Sequence, residues 1–384
     1  MRNQSFRHPD HLRADFSKAL SDLYRAEVPA YGTLIDIVGR INAEHEGIRS
    51  DDERHGAIRL GTAAELSLIR RVFAVLGLHP VGYYDLSVAG LPVHSTAFRP
   101  ITAGGLNISP FRMFTSLLRL DMLPDELREI AKTALDARSI FSDAGHKLLS
   151  KAEMDGGLDA SDGGRFIREA IGIFEWRKRA HVDLSTYKAL LTEHPLIADI
   201  VSFQGPHMNH LTPRVADIDA AQKMMGEEGL EIKDTIEGPP RRNVPILLRQ
   251  TAFKALSEPV EFNTNTGWET AHHTARFGEI EQRGAALTPK GRALYDVCLA
   301  QKDFSEFPDT EAELQAQNLA YFDKTGSPVT YEDFLPVSAA GIFKSNLREA
   351  ETTTVEIGTG NQATFEADLG RPVIDMFDFY AKLI

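Results

Sequence analysis

The stretch that decides the fold is HGAIRLGT at 55–62, followed by AAELSLIRRVFAVLGLHP at 63–80. The first segment is a short extended run. The second has apolar residues at helical spacing and ends at Gly77, with Pro80 beyond it, which is a normal signal for the end of a helix. Aromatic and β-branched residues between Gly and Pro breaks then predict two further strands, VGYYDLSVAG at 81–90 and LPVHSTAFRPI at 91–101.

A similar order returns in the second half of the chain. HMNHLTP at 207–213 is followed by a predicted helix at 217–228 and by the extended run GLEIKDTIEG at 229–238. Each half therefore begins with a histidine, His55 or His210, on a predicted strand. Two βαβββ units paired in one curved sheet would bring these strands together. Coincidence is the alternative, because strand–helix–strand order is common.

These patterns predict an α+β fold in one domain that spans residues 1–384. The first βαβββ half covers about 50–109, a helical insertion about 110–198 and the second half about 199–290. We expect the C-terminal segment, 291–384, to close the site that the halves form.

Composition excludes several functional classes. The 384 residues include 42 Lys and Arg against 55 Asp and Glu, a formal charge of −13, which argues against nucleic acid or an anionic membrane as a partner. Cys298 is the single cysteine, beside 13 histidines, so any metal site must use His and carboxylate ligands. No targeting segment, membrane span or nucleotide-binding motif is found, and we expect a cytoplasmic protein.

The first candidate pair is His55 and Arg59. Side chains alternate along a strand, so these two residues share one face. They could hold opposite ends of one small molecule, a metal-bound end at His55 and a carboxylate at Arg59, because a guanidinium matches two carboxylate oxygens. The alternative is a surface histidine and a solvated arginine.

Two histidines stand three residues apart in GPHMNHLTPR at 205–214. They cannot face the same side of a regular strand. His210 is the better ligand candidate because it begins the extended LTPR run, whereas we expect His207 to be a loop residue or a residue that supports the site.

The third candidate is FGEIEQR at 277–283, in which Glu279 and Glu281 share one face of a predicted strand. That face is too polar for packed core, so it lines either solvent or a functional cavity. Two histidines and one carboxylate that leave open positions are typical of a non-haem Fe(II) site, although zinc accepts the same ligands.

Other polar residues stay undecided. Arg249 and Gln250 are neighbours on a predicted strand, so at most one of them lines the pocket. His94 could orient a ligand, but a satisfied hydrogen-bond network is the commoner role. We expect the tandem His272–His273 to lie in a loop.

Six long motifs identify a family. The sequence resembles the 2-oxoadipate dioxygenase/decarboxylases, also called hydroxyglutarate synthases, over essentially its whole length. The motifs are RHGAIRLGT (54–62), GYYDLSVAGLPVHSTAFRP (82–100), MNHLTPR (208–214), LLRQTAFKALSEPVEF (247–262), RFGEIEQRGAALTPKGRALYD (276–296) and YEDFLPVSAAGIFKSNL (331–347). The family is similar to the vicinal-oxygen-chelate fold and to 4-hydroxyphenylpyruvate dioxygenase.

The resemblance implies a ligand set and a reaction. FGEIEQR and GIFKS look like counterparts of segments in 4-hydroxyphenylpyruvate dioxygenase, and that register selects Glu279 over Glu281. The implied Fe(II) ligands are His55, His210 and Glu279, with both histidines also touching substrate. Arg59 would hold the substrate as a catalytic residue, and Val337 would contact it through its backbone. The implied reaction converts 2-oxoadipate and O2 to D-2-hydroxyglutarate and CO2 in lysine breakdown.

Two other functions remain open. One is a metal-dependent isomerase or lyase on the same fold, which would need no oxygen. The other is a binding protein that takes up a metal or a 2-oxo acid without turnover. Oxygen uptake and CO2 release distinguish all three.

Overall fold

The computed structural model describes residues 5–45, 53–335 and 361–384. The chain begins with two helices that pack on each other, α1 (Pro9–Glu27) and α2 (Pro29–Asn42). The first module of the fold follows, and its strands and helices are β1 (Arg54–Leu60), α3 (Ala63–Val75), β2 (His79–Asp85), β3 (Val93–Arg99), α4 (Ala103–Ile108) and β4 (Arg112–Leu118).

An insertion separates the first module from the second. Its elements are α5 (Asp125–Asp136), α6 (Asp143–Asp155), α7 (Ala160–Ile171), β5 (Arg179–Asp183), α8 (Leu184–Glu193) and α9 (Pro195–Val201). The helices agree with the predicted helical character of this region. The prediction is wrong at β4 and β5, because RMFTSLL and RAHVD are too short for their β-branched and apolar content to stand out among long helical patterns.

The second module repeats the order of the first. It contains β6 (His210–Pro213), α10 (Ile218–Glu227), β7 (Leu248–Ala252), a hairpin of β8 (Ser257–Thr264) and β9 (Gly267–Thr274), and β10 (Phe277–Arg283). The run predicted as a strand at 229–238 forms two isolated bridges, from Glu237 to Gln250 of β7 and from Ile232 to Phe253, the residue after β7. The β8–β9 hairpin is an addition that we did not predict, and it pairs with β5 in a separate three-stranded sheet.

Both modules contribute to one seven-stranded sheet in the order β2-β3-β4-β1-β6-β10-β7. Within each module the first strand pairs in parallel with the last, β1 with β4 and β6 with β10. The modules meet where β1 and β6 pair antiparallel, with His55 opposite Thr212 and Ala57 opposite His210. This arrangement confirms the α+β prediction of paired βαβββ units and places the two histidine strands side by side.

Local sequence explains how the first module turns. Thr62 caps α3 by accepting a hydrogen bond from the backbone N–H of Glu65, and the carboxylate of Glu65 accepts from Gly61. The helix ends before Gly77, which adopts φ +67°, a conformation that favours glycine. The chain then reverses directly into β2.

The sheet divides the interior into two cores. On β1, Ile58 and Leu60 pack into an apolar core with helices α1, α2, α3 and α10, while Ala57 belongs to the core on the other side. All seven residues of β1 are buried, so alternation sends His55 and Arg59 into the protein rather than to solvent.

The C-terminal part contributes to both cores. Its helices are α11 (Pro289–Gln301), α12 (Glu311–Ala316), α13 (Gln362–Leu369) and α14 (Met376–Ala381). Helix α13 places Phe365 and Leu369 in the core with Ile58, whereas the other three helices pack on the side of Ala57. In the described parts of the chain, no helix has the length and apolar character required to cross a bilayer.

Candidate metal centre

Three ligand-type side chains converge at the junction of the two modules. The nitrogens and carboxylate oxygens that His55, His210 and Glu279 offer lie within 4.8 Å of one another, and all three residues are buried. They come from β1, β6 and β10, which are neighbours in the sheet. The residues are far apart in sequence, so the antiparallel pairing of β1 with β6 and the parallel pairing of β6 with β10 create the cluster.

The histidines face each other across the module junction. Their ring centroids are 5.5 Å apart at an interplanar angle of 87°, and Nε2 of His55 lies 3.4 Å from Oε1 of Glu279. Phe334 packs edge-on against His55 at 4.8 Å, and Phe277 lies 4.7 Å from His210. Aromatic rings therefore wall the cluster and limit the access of water.

Glu281 lies on the same face of β10 as Glu279 and is fully buried, so it is not the solvent-facing residue that the sequence left as an alternative. Its Oε2 lies 2.9 Å from Nδ1 of His55, and Arg283 donates to both of its oxygens at 2.8 Å. Arg112 approaches Glu281 at 3.8 Å. A carboxylate that holds the outer nitrogen of a histidine fixes the ring's tautomer and orientation, as is common behind metal ligands.

Gln250 and Thr212 hold the other carboxylate. Nε2 of Gln250 donates to Oε1 of Glu279 at 2.5 Å, and the Thr212 hydroxyl donates to the same oxygen at 3.2 Å. Arg249 instead reaches Asp219 on α10. Of the neighbouring pair on β7, Gln250 is thus the residue that lines the site.

The electrostatic surroundings shift the pKa values of the two histidines in opposite directions. Burial lowers the pKa of His55, but the adjacent Glu281 and Glu279 outweigh it and raise that pKa above its usual value. Burial, reinforced by His55 and Arg59, holds the pKa of His210 well below its usual value. Burial opposes ionisation of Glu281, yet Arg283 and His55 hold its pKa well below the ordinary range. A neutral His210 and an ionised Glu281 both suit a metal centre.

Two buried polar atoms at the cluster test whether a metal fits. Within the described residues, Nδ1 of His210 and Oε2 of Glu279 have no hydrogen-bond partner. Such atoms carry a free-energy cost unless something else satisfies them. A divalent cation would satisfy both, and two imidazoles with one carboxylate are a donor set for Fe(II) or Zn²⁺. The residues present therefore fit a metal ion.

Arg59 extends from β1 on the same side as His55 and is 4% exposed. Its Nη1 pairs with Oδ2 of Asp199, a residue of α9. Asp199 also contacts His207 and His273, and the three form a second buried group whose ligand atoms lie within 4.8 Å of one another. Sequence reasoning missed Asp199, because nothing in PLIADIV at 195–201 distinguishes this residue from an aspartate on the exposed surface of a helix.

Four other candidate residues are placed by the structure. His207 is a buried loop residue beside Asp199 and does not belong to the group of His55, His210 and Glu279. The loop prediction for His272–His273 is wrong, because both lie on β9, where the β8–β9 hairpin buries His273. His94 lies on β3 beside Tyr83 and Phe365, outside the cluster. Val337 and the GIFKS segment at 341–345 lie outside the described residues.

Sequence reasoning also missed Thr212 and Phe334. Thr212 follows His210 by two positions, so alternation along the extended run that begins at His210 could have included it. Phe334 has no such signal, since an aromatic residue near the C-terminus gives no indication of which histidine it covers.

The chain matches one family of known proteins along most of its length. The sequence profile of the 2-oxoadipate dioxygenase/decarboxylase family matches residues 16–346. Curated proteins of that name are 47% identical in Pseudomonas putida, over 97% of this chain and 94% of the relative, and 43% identical in Mycobacterium tuberculosis, over 97% and 96%.

Solved structures agree with the sequence matches. The hydroxyglutarate synthase from Pseudomonas putida in complex with 2-oxoadipate superposes with a TM-score of 0.90 at 45% identity, covering 98% of this chain and 96% of that one. A glyoxalase-superfamily protein from Ralstonia eutropha superposes with a TM-score of 0.52 at 20% identity, over 71% of this chain and 84% of that one. The second likeness concerns the fold alone, and it agrees with the predicted vicinal-oxygen-chelate architecture.

Proposed function

Since this chain belongs to the 2-oxoadipate dioxygenase/decarboxylase family, we propose that it converts 2-oxoadipate and O2 to D-2-hydroxyglutarate and CO2, a step in lysine breakdown. The observation that carries the proposal is the buried convergence of His55, His210 and Glu279 at the junction of the two modules. Family membership supplies the substrate class, and this chain's own residues supply a place for the chemistry.

We propose Fe(II) as the resident metal, held by these three side chains. His55, His210 and Glu279 would leave positions open on Fe(II), where the metal would supply a site for chelation by the 2-oxo acid and for activation of dioxygen. The buried atoms Nδ1 of His210 and Oε2 of Glu279 support this assignment, because a cation would remove the cost of leaving them unsatisfied.

The surrounding residues would keep the ligands in place. Glu281, itself clamped by Arg283, holds the outer nitrogen of His55, so this ring can offer only Nε2 to the cluster. Gln250 fixes one oxygen of Glu279 and leaves the other available. Phe334 and Phe277 exclude water, which strengthens electrostatic interactions inside the site.

We propose that Arg59 binds a carboxylate of the substrate and fixes its pose. Orientation matters because a misplacement of about 1 Å can cost about 100-fold in rate. A cationic side chain is also needed because a dianionic substrate approaches a protein with a net charge of −13. We retain a backbone contact at Val337 as part of the proposal.

The proposed reaction balances without a further co-substrate. The bond between the carboxylate carbon and the keto carbon breaks and CO2 leaves. One oxygen atom of O2 completes the new carboxylate at the former keto carbon, and the other becomes the hydroxyl group on the adjacent carbon. The substrate thus supplies all the electrons, which agrees with the absence of a nucleotide-binding motif in the sequence.

We further propose that the whole chain works as one domain in the cytoplasm. The lone cysteine, Cys298, is buried and has no intramolecular disulfide partner in the sequence, as is usual in reducing compartments.

The decisive experiment combines metal analysis with oxygen uptake. Purified protein would be loaded anaerobically with Fe(II) and given 2-oxoadipate, 2-oxoglutarate or 2-oxopimelate in an oxygen electrode, with CO2 and D-2-hydroxyglutarate measured in parallel. We expect one O2 consumed and one CO2 released per 2-oxoadipate. Equal conversion without oxygen would instead identify an isomerase or lyase, and stoichiometric binding without CO2 would identify a binding protein.

A further inference from the structure

Asp199 lies at the centre of a second buried group, outside the candidate metal centre. Its Oδ2 pairs with Nη1 of Arg59 and accepts a hydrogen bond from Nδ2 of Asn209 at 3.2 Å. Its Oδ1 lies 2.9 Å from Nε2 of His273 and 3.0 Å from Nε2 of His207. We call Asp199, His207 and His273 the Asp199 cluster.

The contacts within this cluster differ in quality. His273 makes a directed hydrogen bond to Asp199, and its Nδ1 lies 3.0 Å from the Tyr187 hydroxyl. His207 approaches the same carboxylate oxygen without a well-directed hydrogen bond. The Trp176 ring packs against both histidines, at centroid distances of 4.7 Å and 6.2 Å, which keeps the carboxylate dry.

The Arg59–Asp199 pair is almost fully removed from water, with side-chain exposures of 3% and 2%. Burial opposes ionisation of Asp199, but His207 and Arg59 hold its pKa well below the usual range. The carboxylate is therefore anionic beside the guanidinium. A buried pair of this kind is a weak source of stability, but it defines geometry closely because each partner would be strongly penalised if left alone.

The parts of the chain that form this cluster lie outside the seven-stranded sheet that the two modules share. Asp199 comes from α9, His207 from the loop before β6, and His273 from β9 of the added hairpin. The insertion and the hairpin thus meet at Arg59, the arginine of β1 that projects on the same side as His55. This convergence gives the additions to the βαβββ modules a role at the site.

A metal is the competing occupant, because two histidines and one carboxylate are also a ligand set. The charges around Asp199 favour its hydrogen-bonded arrangement over metal binding. Asp199 already compensates the buried guanidinium of Arg59, and a divalent cation on its other oxygen would place a second positive charge beside that guanidinium in a dry environment.

We propose that Asp199 is a positioning residue for Arg59, and that through Arg59 it sets which length of 2-oxo dicarboxylate the site accepts. Asp199, held by His273, fixes the guanidinium at one distance from the metal centre. A substrate whose distal carboxylate falls at that distance binds without having to order a flexible arginine. This inference rests on the proposed function, since it assumes a 2-oxo dicarboxylate chelated at His55, His210 and Glu279.

The test uses Asp199→Asn, which keeps the size of the side chain and removes its charge. The metal-loaded protein would be titrated anaerobically by calorimetry with 2-oxoadipate, 2-oxoglutarate and 2-oxohexanoate, the last of which lacks a distal carboxylate. Oxygen uptake would give kcat and KM for the same acids. Glu258→Gln is the matched control, because Glu258 lies on β8 of the same hairpin as His273 and pairs with the buried Arg276.

We expect Asp199→Asn to weaken 2-oxoadipate binding at least 10-fold, to leave 2-oxohexanoate binding within about twofold, and to reduce the preference for 2-oxoadipate over 2-oxoglutarate. KM should change more than kcat. Glu258→Gln should retain the wild-type preference. An equal loss for all three acids, or an unchanged preference, would overturn the proposal, because a merely structural defect does not distinguish substrates by their distal end.

A second variant keeps the proposal testable if Asp199→Asn does not fold. His273→Phe preserves ring volume against Trp176 and removes the hydrogen bond to Asp199. We expect a 3- to 10-fold rise in KM for 2-oxoadipate with kcat retained, and wild-type KM values in this variant would count against the proposal.

The two proposals fail in different ways. If wild-type protein neither binds nor consumes any 2-oxo acid, the proposed function fails. If wild-type protein is active and Asp199→Asn matches it, only the positioning role fails. Two metal ions per wild-type chain, with one lost in Asp199→Asn, would identify the cluster as a metal site and overturn the positioning role.

Discussion

Glu281 and Glu279 contact opposite nitrogens of one imidazole: Oε2 of Glu281 lies 2.9 Å from Nδ1 of His55, and Oε1 of Glu279 lies 3.4 Å from its Nε2. Two carboxylates two residues apart on one strand therefore have different tasks. We expect Glu281→Gln to retain metal binding but to weaken it by about 10- to 100-fold, because the histidine loses the anion that orients it. Competition with a fluorescent chelator measures this, and unchanged affinity would contradict the role.

The ligand set makes a stronger prediction. His55→Ala, His210→Ala and Glu279→Ala should each lose stoichiometric metal and all turnover of 2-oxoadipate, because two remaining side chains hold a divalent ion poorly. Metal content by mass spectrometry and oxygen uptake give independent measurements. Normal oxygen uptake in all three variants would reject the assignment, and Glu258→Gln is again the matched control.

Arg59→Lys separates charge from geometry. Lysine keeps a positive charge but cannot offer the planar donor pair that a carboxylate matches. We expect full metal content and a KM for 2-oxoadipate that rises by at least 10-fold, since the proposed partner of the substrate carboxylate would lose its planar donor pair. Steady-state kinetics with metal analysis of the same sample tests this. Loss of metal from Arg59→Lys would instead show that Arg59 is needed for metal binding.

The segment that carries Phe334 is anchored by a buried ion pair. Asp333 accepts from Nε and Nη2 of Arg99 at 2.7 and 2.9 Å, and Tyr380 donates to the same carboxylate. Asp333→Ala would leave Arg99 buried without this partner, and we expect the free energy of unfolding to fall by about 3–5 kcal/mol. Urea denaturation measures the change.

An exposed ion pair provides the control for that measurement. Asp121, whose side chain is 65% exposed, pairs with Arg119, so Asp121→Ala should lower the free energy of unfolding by less than about 1 kcal/mol. Similar losses in the two variants would show that the Arg99–Asp333 pair has no special stabilising role.

His94 predicts a pH dependence of stability. Burial, together with Arg119, lowers its pKa to about 4, while Asp85 and Asp121 oppose this and Tyr83 lies against the ring. An unfolded histidine has a pKa near ~6.5. Between these values the unfolded chain binds more protons, so this contribution to stability is present above about pH 6.5 and is lost as the pH falls towards 4.

His94→Gln should remove that contribution. Relative to the variant, wild-type protein should lose about 2 kcal/mol of unfolding free energy between pH 7.5 and pH 5. Urea denaturation of both proteins at the two pH values measures the difference. The other histidines contribute equally to both proteins, so their effect cancels. Parallel losses in the two proteins would show that His94 titrates normally.

The sequence predicted those features that depend on local pattern. Alternation placed His55 with Arg59 and Glu279 with Glu281, and the repeated strand–helix order placed β1 beside β6. The choice of Glu279 over Glu281 came from family resemblance, and it remains a prediction that the ligand variants test. Both carboxylates are buried on the same face of β10, so neither the alternation of side chains along the strand nor their polarity distinguishes them.

The other features of the fold and the site could not be predicted from local sequence, because they depend on tertiary contacts. Asp199 reaches Arg59 across 140 positions of sequence, and His273 acquires its role only when β9 pairs with β8. β4 was missed because its neighbours are helices, although it pairs in parallel with β1 along most of its length. Such long-range contacts have no signal in a single sequence.

The position of β1 in the middle of the sheet has a consequence for synthesis of the chain. This strand is made early, yet its neighbour β6 and the last candidate ligand, on β10, emerge only after about half and about three-quarters of the chain have left the ribosome. Until then His55 lacks His210 and Glu279, the other two members of the candidate ligand set. Metal uptake at the proposed centre would therefore require that both modules have been made and have paired through β1 and β6.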